Sequence, residues 1–128
     1  MEVSPRAGGN RLSEMLNYAA DVNINEAETR KALGLSVNGI HEPNYNGYFA
    51  ILVLHSNISG TLDDIIIEND FRLKHLIEEE VRIKKGAVVR SFTGANSAIG
   101  TLFLKFDSRQ ELEDALKNKD KWINIKIA

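Results

Sequence analysis

Gly47-Tyr48-Phe49-Ala50-Ile51-Leu52-Val53-Leu54-His55 is a nearly continuous apolar run, rich in β-branched and aromatic residues. A run of this kind between turn signals reads as a central strand covered on both faces. Immediately before it, His41-Glu42-Pro43-Asn44 interrupts the chain, and the apolar period changes there from helical to extended. Downstream, Leu62 to Ile67 lies between Ser59-Gly60 and Asn69-Asp70 and reads as an antiparallel partner joined to the first strand by a short loop. Phe71 to Leu76 suits one helical turn, Ile77 to Ile83 and Val88 to Phe92 suit short strands, and Thr101 to Phe106 alternates with Leu102, Leu104 and Phe106 on one face. Ser108 with Glu111 three residues on forms a capping box, after which Leu112, Ala115 and Leu116 make the apolar stripe of a helix. Ile123, Ile125 and Ile127 then share one face of a last strand. Hairpins clustered apart from helices predict an α+β fold: a mainly antiparallel sheet of five or six strands with the Ser108 helix packed on it.

Upstream of Pro43 the pattern is helical. Leu12, Met15, Leu16 and Ala19 recur at three- and four-residue spacing, and Asn10 is placed to open that helix. A second helix is marked at both ends, by Asn23 with Glu26 three residues later and by Gly34 after Lys31. Residues 1–40 therefore read as a helical extension and residues 41–128 as the sheet domain.

The 128 residues carry 16 Lys and Arg against 18 Asp and Glu, a net charge of −2 that supplies no general attraction to nucleic acid or to acidic membranes. The first residues lack the apolar segment of a signal peptide, and no apolar run is long enough to span a bilayer, so the expected location is the cytoplasm. Cysteine is absent, which excludes disulfides and thiolate chemistry.

The stretch richest in chemistry is Glu2-Val3-Ser4-Pro5-Arg6-Ala7-Gly8-Gly9-Asn10. In a strand, Glu2, Ser4 and Arg6 project from the same face, so a carboxylate, a hydroxyl and a guanidinium converge. Glu2 can supply oxygen to Mg²⁺, Arg6 can meet a phosphate with its planar fork, and Gly8 and Gly9 leave backbone N–H groups open to an anion at the start of a helix. The plainer reading of the same residues is a strand-to-helix turn that uses glycine for its geometry and Glu and Arg for solubility.

This stretch resembles the last catalytic signature of the ATP-grasp ligases, in which a strand bearing Glu-x-Asn-x-Arg enters a glycine-bearing loop and a helix. The similarity extends over residues 11–40, including Ala32-Leu33-Gly34. Residues 41–128 resemble the C-terminal appendage of the L-amino-acid-ligase branch, including Arg90-Ser91-Phe92-Thr93-Gly94-Ala95-Asn96. The resemblance implies that Glu2 and Ser4 are metal-site residues, that Arg6 is catalytic, and that Gly8, Gly9 and Asn10 lie beside the substrate. Ser4 stands where the family normally has Asn; a formate-using purine-pathway branch also has Ser there. ATP and Mg²⁺ are the implied cofactors of the parent enzyme, and a small-molecule carboxylate and an amine its substrates, with phosphoribosylamine–glycine ligases sharing the motif. The family's lysines, its glycine-rich lid and its upstream metal ligand are not in these residues. The chain thus reads as an inactive C-terminal fragment whose partner is the N-terminal ATP-grasp region, and its helices, deprived of that region, favour a homodimer. The alternative class is a non-catalytic interaction or assembly module that uses an exposed sheet edge.

Other chemistry-bearing residues have bland readings. His41, His55 and His75 lack ligand spacing, Glu78-Glu79-Glu80 beside Lys84-Lys85 suits a solvated strand face, Arg90 to Asn96 suits a loop, and Phe92, Phe103, Phe106 and Trp122 suit the core.

Overall fold

The computed structural model describes residues 8–128, and the chain divides into two compact units, Met1–Tyr48 and Phe49–Ala128. In the first, α1 (Leu12–Ala20) and α2 (Ile24–Ala32) bury Met15, Ala19, Ala20 and Ala27. Leu12, the first residue of the helix, leaves the expected stripe and stands half exposed. Asn10 does not open the helix. Asn10 and Arg11 both take the left-handed conformation, with φ of 56° and 60°, and the Leu12 N–H donates to the Gly9 carbonyl at 3.3 Å. The second helix is capped as its sequence predicts. Asn23 Oδ1 accepts from the Glu26 N–H at 3.0 Å; at the other end Gly34, with φ 71°, donates to Lys31, and Leu35 donates to the Arg30 carbonyl at 2.9 Å, closing a Schellman motif.

The sheet domain runs β1 (Tyr48–Leu54), β2 (Gly60–Ile67), α3 (Asn69–His75), β3 (Leu76–Val81), β4 (Val88–Val89), β5 (Gly100–Phe106), α4 (Arg109–Lys117) and β6 (Ile123–Ile127). Its strands form two three-stranded sheets among the described residues, ordered β1-β5-β3 and β4-β2-β6. The pairs β3–β5, β2–β4 and β2–β6 are antiparallel, with Leu76 opposite Leu104, Thr61 opposite Val88, and Ile67 opposite Ile123. The mixed helical and antiparallel character is as the sequence predicts, but the arrangement of strands is not. The Gly47–His55 run is an edge strand and the centre belongs to β5. Nor do β1 and β2 pair as a hairpin: they enter different sheets, and apolar side chains from both meet in one core.

That core gathers Leu54 of β1, Leu62 and Ile67 of β2, Leu102, Leu104 and Phe106 of β5, and Ile123 of β6. Close approach shapes it locally: a Cβ on Gly100 would lie 2.3 Å from the Glu80 carbonyl oxygen, so β5 and β3 come together only over a glycine. Phe71 of α3 stacks on Trp122 at 3.7 Å and 7°, and Trp122 donates its indole N–H to the Ala115 carbonyl of α4 at 2.8 Å. At the start of α4, Ser108 Oγ accepts from the Glu111 N–H at 3.1 Å, as the capping box requires. Glu111 accepts from the Asp107 N–H at 3.2 Å, pairs with Lys74 of α3, and faces His75 Nε2 at 3.7 Å.

The Phe106 ring is enclosed by Phe71 and His75 and is 1% exposed, so Phe106→Ala is expected to cost about 3–5 kcal/mol of stability in urea titration. The Lys74 hydrogen bond, with the Asp107 N–H next, holds the Glu111 carboxyl below its ordinary pKa. Its contribution is therefore present above the unfolded carboxylate pKa and lost as pH falls through the depressed folded value. Glu111→Gln should lower the melting temperature at neutral pH and by progressively less toward pH 3, measured by calorimetry across that range.

Candidate functional site

Of the residues that carry the sequence motif, Glu2, Ser4 and Arg6 lie outside the described residues, while Gly8, Gly9 and Asn10 form the exposed turn that leads into α1. The two glycines differ. A Cβ on Gly8 would stand 3.1 Å from Leu12 Cδ2, whereas one on Gly9 would meet nothing within 4 Å among the described residues, so Gly8 lies against the first residue of the helix and Gly9 has open space on that side. Arg11, at the end of this turn, pairs with Glu14 one helical turn on.

The same unit carries a polar groove of about 580 Å³ between α1 and α2, lined by Glu14, Asn17 and Tyr18 on one side and by Asn23, Asn25, Glu26, Thr29 and Arg30 on the other. Arg30 Nε donates to Glu26 Oε1 at 3.0 Å, and Thr29 Oγ1 donates to the Asn25 carbonyl at 2.8 Å. In the sequence, Asn23 and Glu26 stand out only as a helix cap, and the groove as such does not. The available signal was the polar set at three- and four-residue spacing, Glu14, Asn17 and Tyr18 on α1 and Glu26, Thr29 and Arg30 on α2, where amphipathic helices normally place solvated residues.

His41 lies beyond α2 and contacts Glu42 O through Nδ1 at 2.8 Å and Asp21 O, at the end of α1, through Nε2 at 3.0 Å. Both contacts are hydrogen bonds only when both ring nitrogens carry protons. The Glu42 carbonyl, with smaller help from Asp21, accordingly raises the His41 pKa.

In the sheet domain, the strand expected over Val88 to Phe92 stops at Val89, and the chain from Arg90 runs as a loop into a 3-10 turn at Ala95–Ser97, tied down by the Ser91 N–H on Ser59 Oγ at 3.0 Å and the Phe92 N–H on the Ser56 carbonyl at 2.8 Å. Phe92 is not a core residue: it is 47% exposed and its ring leans on His55 at 4.5 Å, because these main-chain bonds hold the loop at the surface. Phe103, Phe106 and Trp122 are buried. The acidic run is paired locally, Glu79 with Arg72 at 2.5 Å and Glu80 with Arg82 at 3.3 Å, while Lys85 reaches Asp63 of β2 at 3.2 Å. Among the described residues, no three His, Cys, Asp or Glu side chains stand together as a metal site.

No family model and no curated protein matches the chain in sequence. Among solved structures, phosphoribosylglycinamide synthetase from Anaerococcus prevotii matches 100% of this chain with a TM-score of 0.76 at 18% identity, over 33% of its own length. The L-amino acid ligase from Bacillus licheniformis matches 99% of this chain with a TM-score of 0.75 at 17% identity, over 32% of its length. The chain thus spans about a third of each, and at these identities the likeness establishes the fold. These two proteins are of the kinds that the N-terminal motif and the C-terminal appendage resemble.

The His41 tether should hold below the ordinary histidine pKa and loosen as pH rises through the raised value. Amide exchange followed by NMR from pH 5.5 to 8.5, corrected for intrinsic rates, should show protection around His41 falling with pH, and His41→Ala should abolish that dependence.

Proposed function

We propose that this chain is the C-terminal part of an ATP-dependent carboxylate–amine ligase of the ATP-grasp type, residues 1–40 ending the ATP-grasp domain and residues 41–128 forming its appended α+β domain. The observation that carries the reading is the match of essentially the whole chain to a synthetase and a ligase, each about three times as long. The Glu2-x-Ser4-x-Arg6 motif, with Gly8, Gly9 and Asn10 behind it, supports the same reading independently of the fold.

In such an enzyme ATP transfers its γ-phosphoryl group to a carboxylate, the amine attacks the acyl carbon, and phosphate and ADP leave as the amide forms. Glu2 and Ser4 offer only oxygen donors, a hard set that suits Mg²⁺, which when bound offsets the charge of the phosphates. Arg6 holds its guanidinium against the transferring phosphoryl group, where charge is greatest in the transition state, and then against the acyl phosphate. Open backbone at Gly9 and the side chain of Asn10 stand beside the carboxylate or amine substrate. The remaining walls of the site come from the N-terminal ATP-grasp region, the partner of this chain within one cytoplasmic enzyme. Catalytic groups act only when held opposite a positioned substrate, so the chain by itself is inactive.

The test has two arms. In a full-length ligase that contains this chain, Arg6→Ala should lower kcat by about 100-fold or more with little change in KM for ATP, and Arg6→Lys should restore only part of the loss. Glu2→Ala should raise the Mg²⁺ concentration needed for half-maximal rate. In calorimetry, this chain alone should not bind MgATP at micromolar concentrations. Unchanged turnover in Arg6→Ala with only a lowered melting temperature would reduce the motif to a strand-to-helix turn and overturn the reading.

A further inference from the structure

The two sheets of the domain share a groove, with β1 at the edge of one and β6 at the edge of the other. It measures about 480 Å³, within the range of small-molecule sites, and residues of the sheet domain alone line it. Its apolar side comes from Leu52 and Leu54 of β1 and from Ile123, Ile125 and Ile127 of β6. Leu54 and Ile123 are buried, whereas Leu52, Ile125 and Ile127 are half-buried, so this strip of the core is only partly covered.

The groove also holds two opposite charges, Lys119 and Asp120, in the turn between α4 and β6. Lys117 and Lys121 are exposed, but Lys119 is half-buried, and burial raises the cost of a cation with no anion beside it. The cations of the neighbouring helices meet carboxylates: Lys74 pairs with Glu111, Arg72 with Glu79, and Arg109 with Glu113. Among the described residues, Lys119 and Asp120 enter neither an ion pair nor a side-chain hydrogen bond. His55 lines the same groove with Nδ1 at 3.3 Å from the Val53 carbonyl, so a proton on Nδ1 is donated there and Nε2 is the ring atom left to accept.

We infer that this groove binds a free α-amino acid with a branched or aromatic apolar side chain, its carboxylate on Lys119, its ammonium on Asp120 and His55 Nε2, and its side chain on the isoleucine strip. Charge complementarity selects this class. An apolar acid without an ammonium sets its carboxylate beside an uncompensated Asp120, an apolar amine leaves Lys119 unpaired, and glycine leaves the strip uncovered. The zwitterion carries both charges on neighbouring atoms, as consecutive residues of opposite sign require, and each contact is a charge-assisted hydrogen bond. The inference is separate from the ligase reading, since it uses no residue of the Glu2 to Asn10 motif and concerns binding without reaction.

The test is an NMR titration of the 128-residue chain with L-leucine, isocaproate, which is leucine without its ammonium, L-leucinamide, which lacks the carboxylate, and glycine. A ligand of so few atoms binds at about millimolar concentration. Leucine should shift the amides of Leu54, His55, Lys119 and Ile125 saturably, and the other three should bind about tenfold more weakly or less tightly still. Lys119→Gln should weaken leucine about tenfold and remove its advantage over leucinamide, and Asp120→Asn should remove its advantage over isocaproate. An unchanged melting temperature checks that each variant folds. Leucine that gives no saturable shifts in the groove up to about 50 mM, isocaproate or leucinamide that binds as tightly as leucine, or a Lys119→Gln variant that binds leucine unchanged would overturn the inference.

Discussion

The rest of the sheet domain depends on the burial of one strand on both of its faces. β5 lies between β1 and β3, and its residues from Gly100 to Leu104, with Phe106, are buried. A strand in that position must have neighbours on both edges to satisfy its N–H and C=O groups, which no water can reach. Gly100 permits the closest of these approaches, over the Glu80 carbonyl, and Ile99 continues the contact to β1 through Leu54. With the centre of the sheet taken by β5, the longest apolar run of the chain is left at an edge, although its composition suits an interior.

The aromatic cluster beside β5 joins the elements that local signals start separately. Phe71 from α3 stacks on Trp122, Trp122 is bonded to α4 through Ala115, and Phe106 of β5 contacts both Phe71 and His75. His75 is buried with Nδ1 at 3.0 Å from the Lys105 carbonyl, so even the polar member of the cluster has a partner. Ion pairs at its rim, Lys74 with Glu111 and Arg72 with Glu79, are exposed or half-exposed and add orientation more than stability.

The chemistry-bearing motif and the packed core occupy different parts of this sequence. The charged motif and its glycine turn stand at the N-terminal end, while the residues that hold the sheet domain together are apolar and lie after Phe49.

By itself the sequence determined what depends on residues within about one helical turn. Asn23 and Glu26, Gly34 and Leu35, and Ser108 and Glu111 cap their helices as read, and Ile123, Ile125 and Ile127 share the inner face of β6, because caps and alternation are set by neighbours three or four residues away. The motif at Glu2 to Asn10 is read from residue types and spacing, and its Glu2, Ser4 and Arg6 lie outside the described residues. Tertiary structure alone decided the rest. Whether β1 or β5 is central, that β1 and β2 part into two sheets and that Phe92 remains at the surface all depend on contacts between residues far apart in the chain. An apolar run records that it will be covered; which strands cover it follows from the pairing that satisfies the backbone of all of them together.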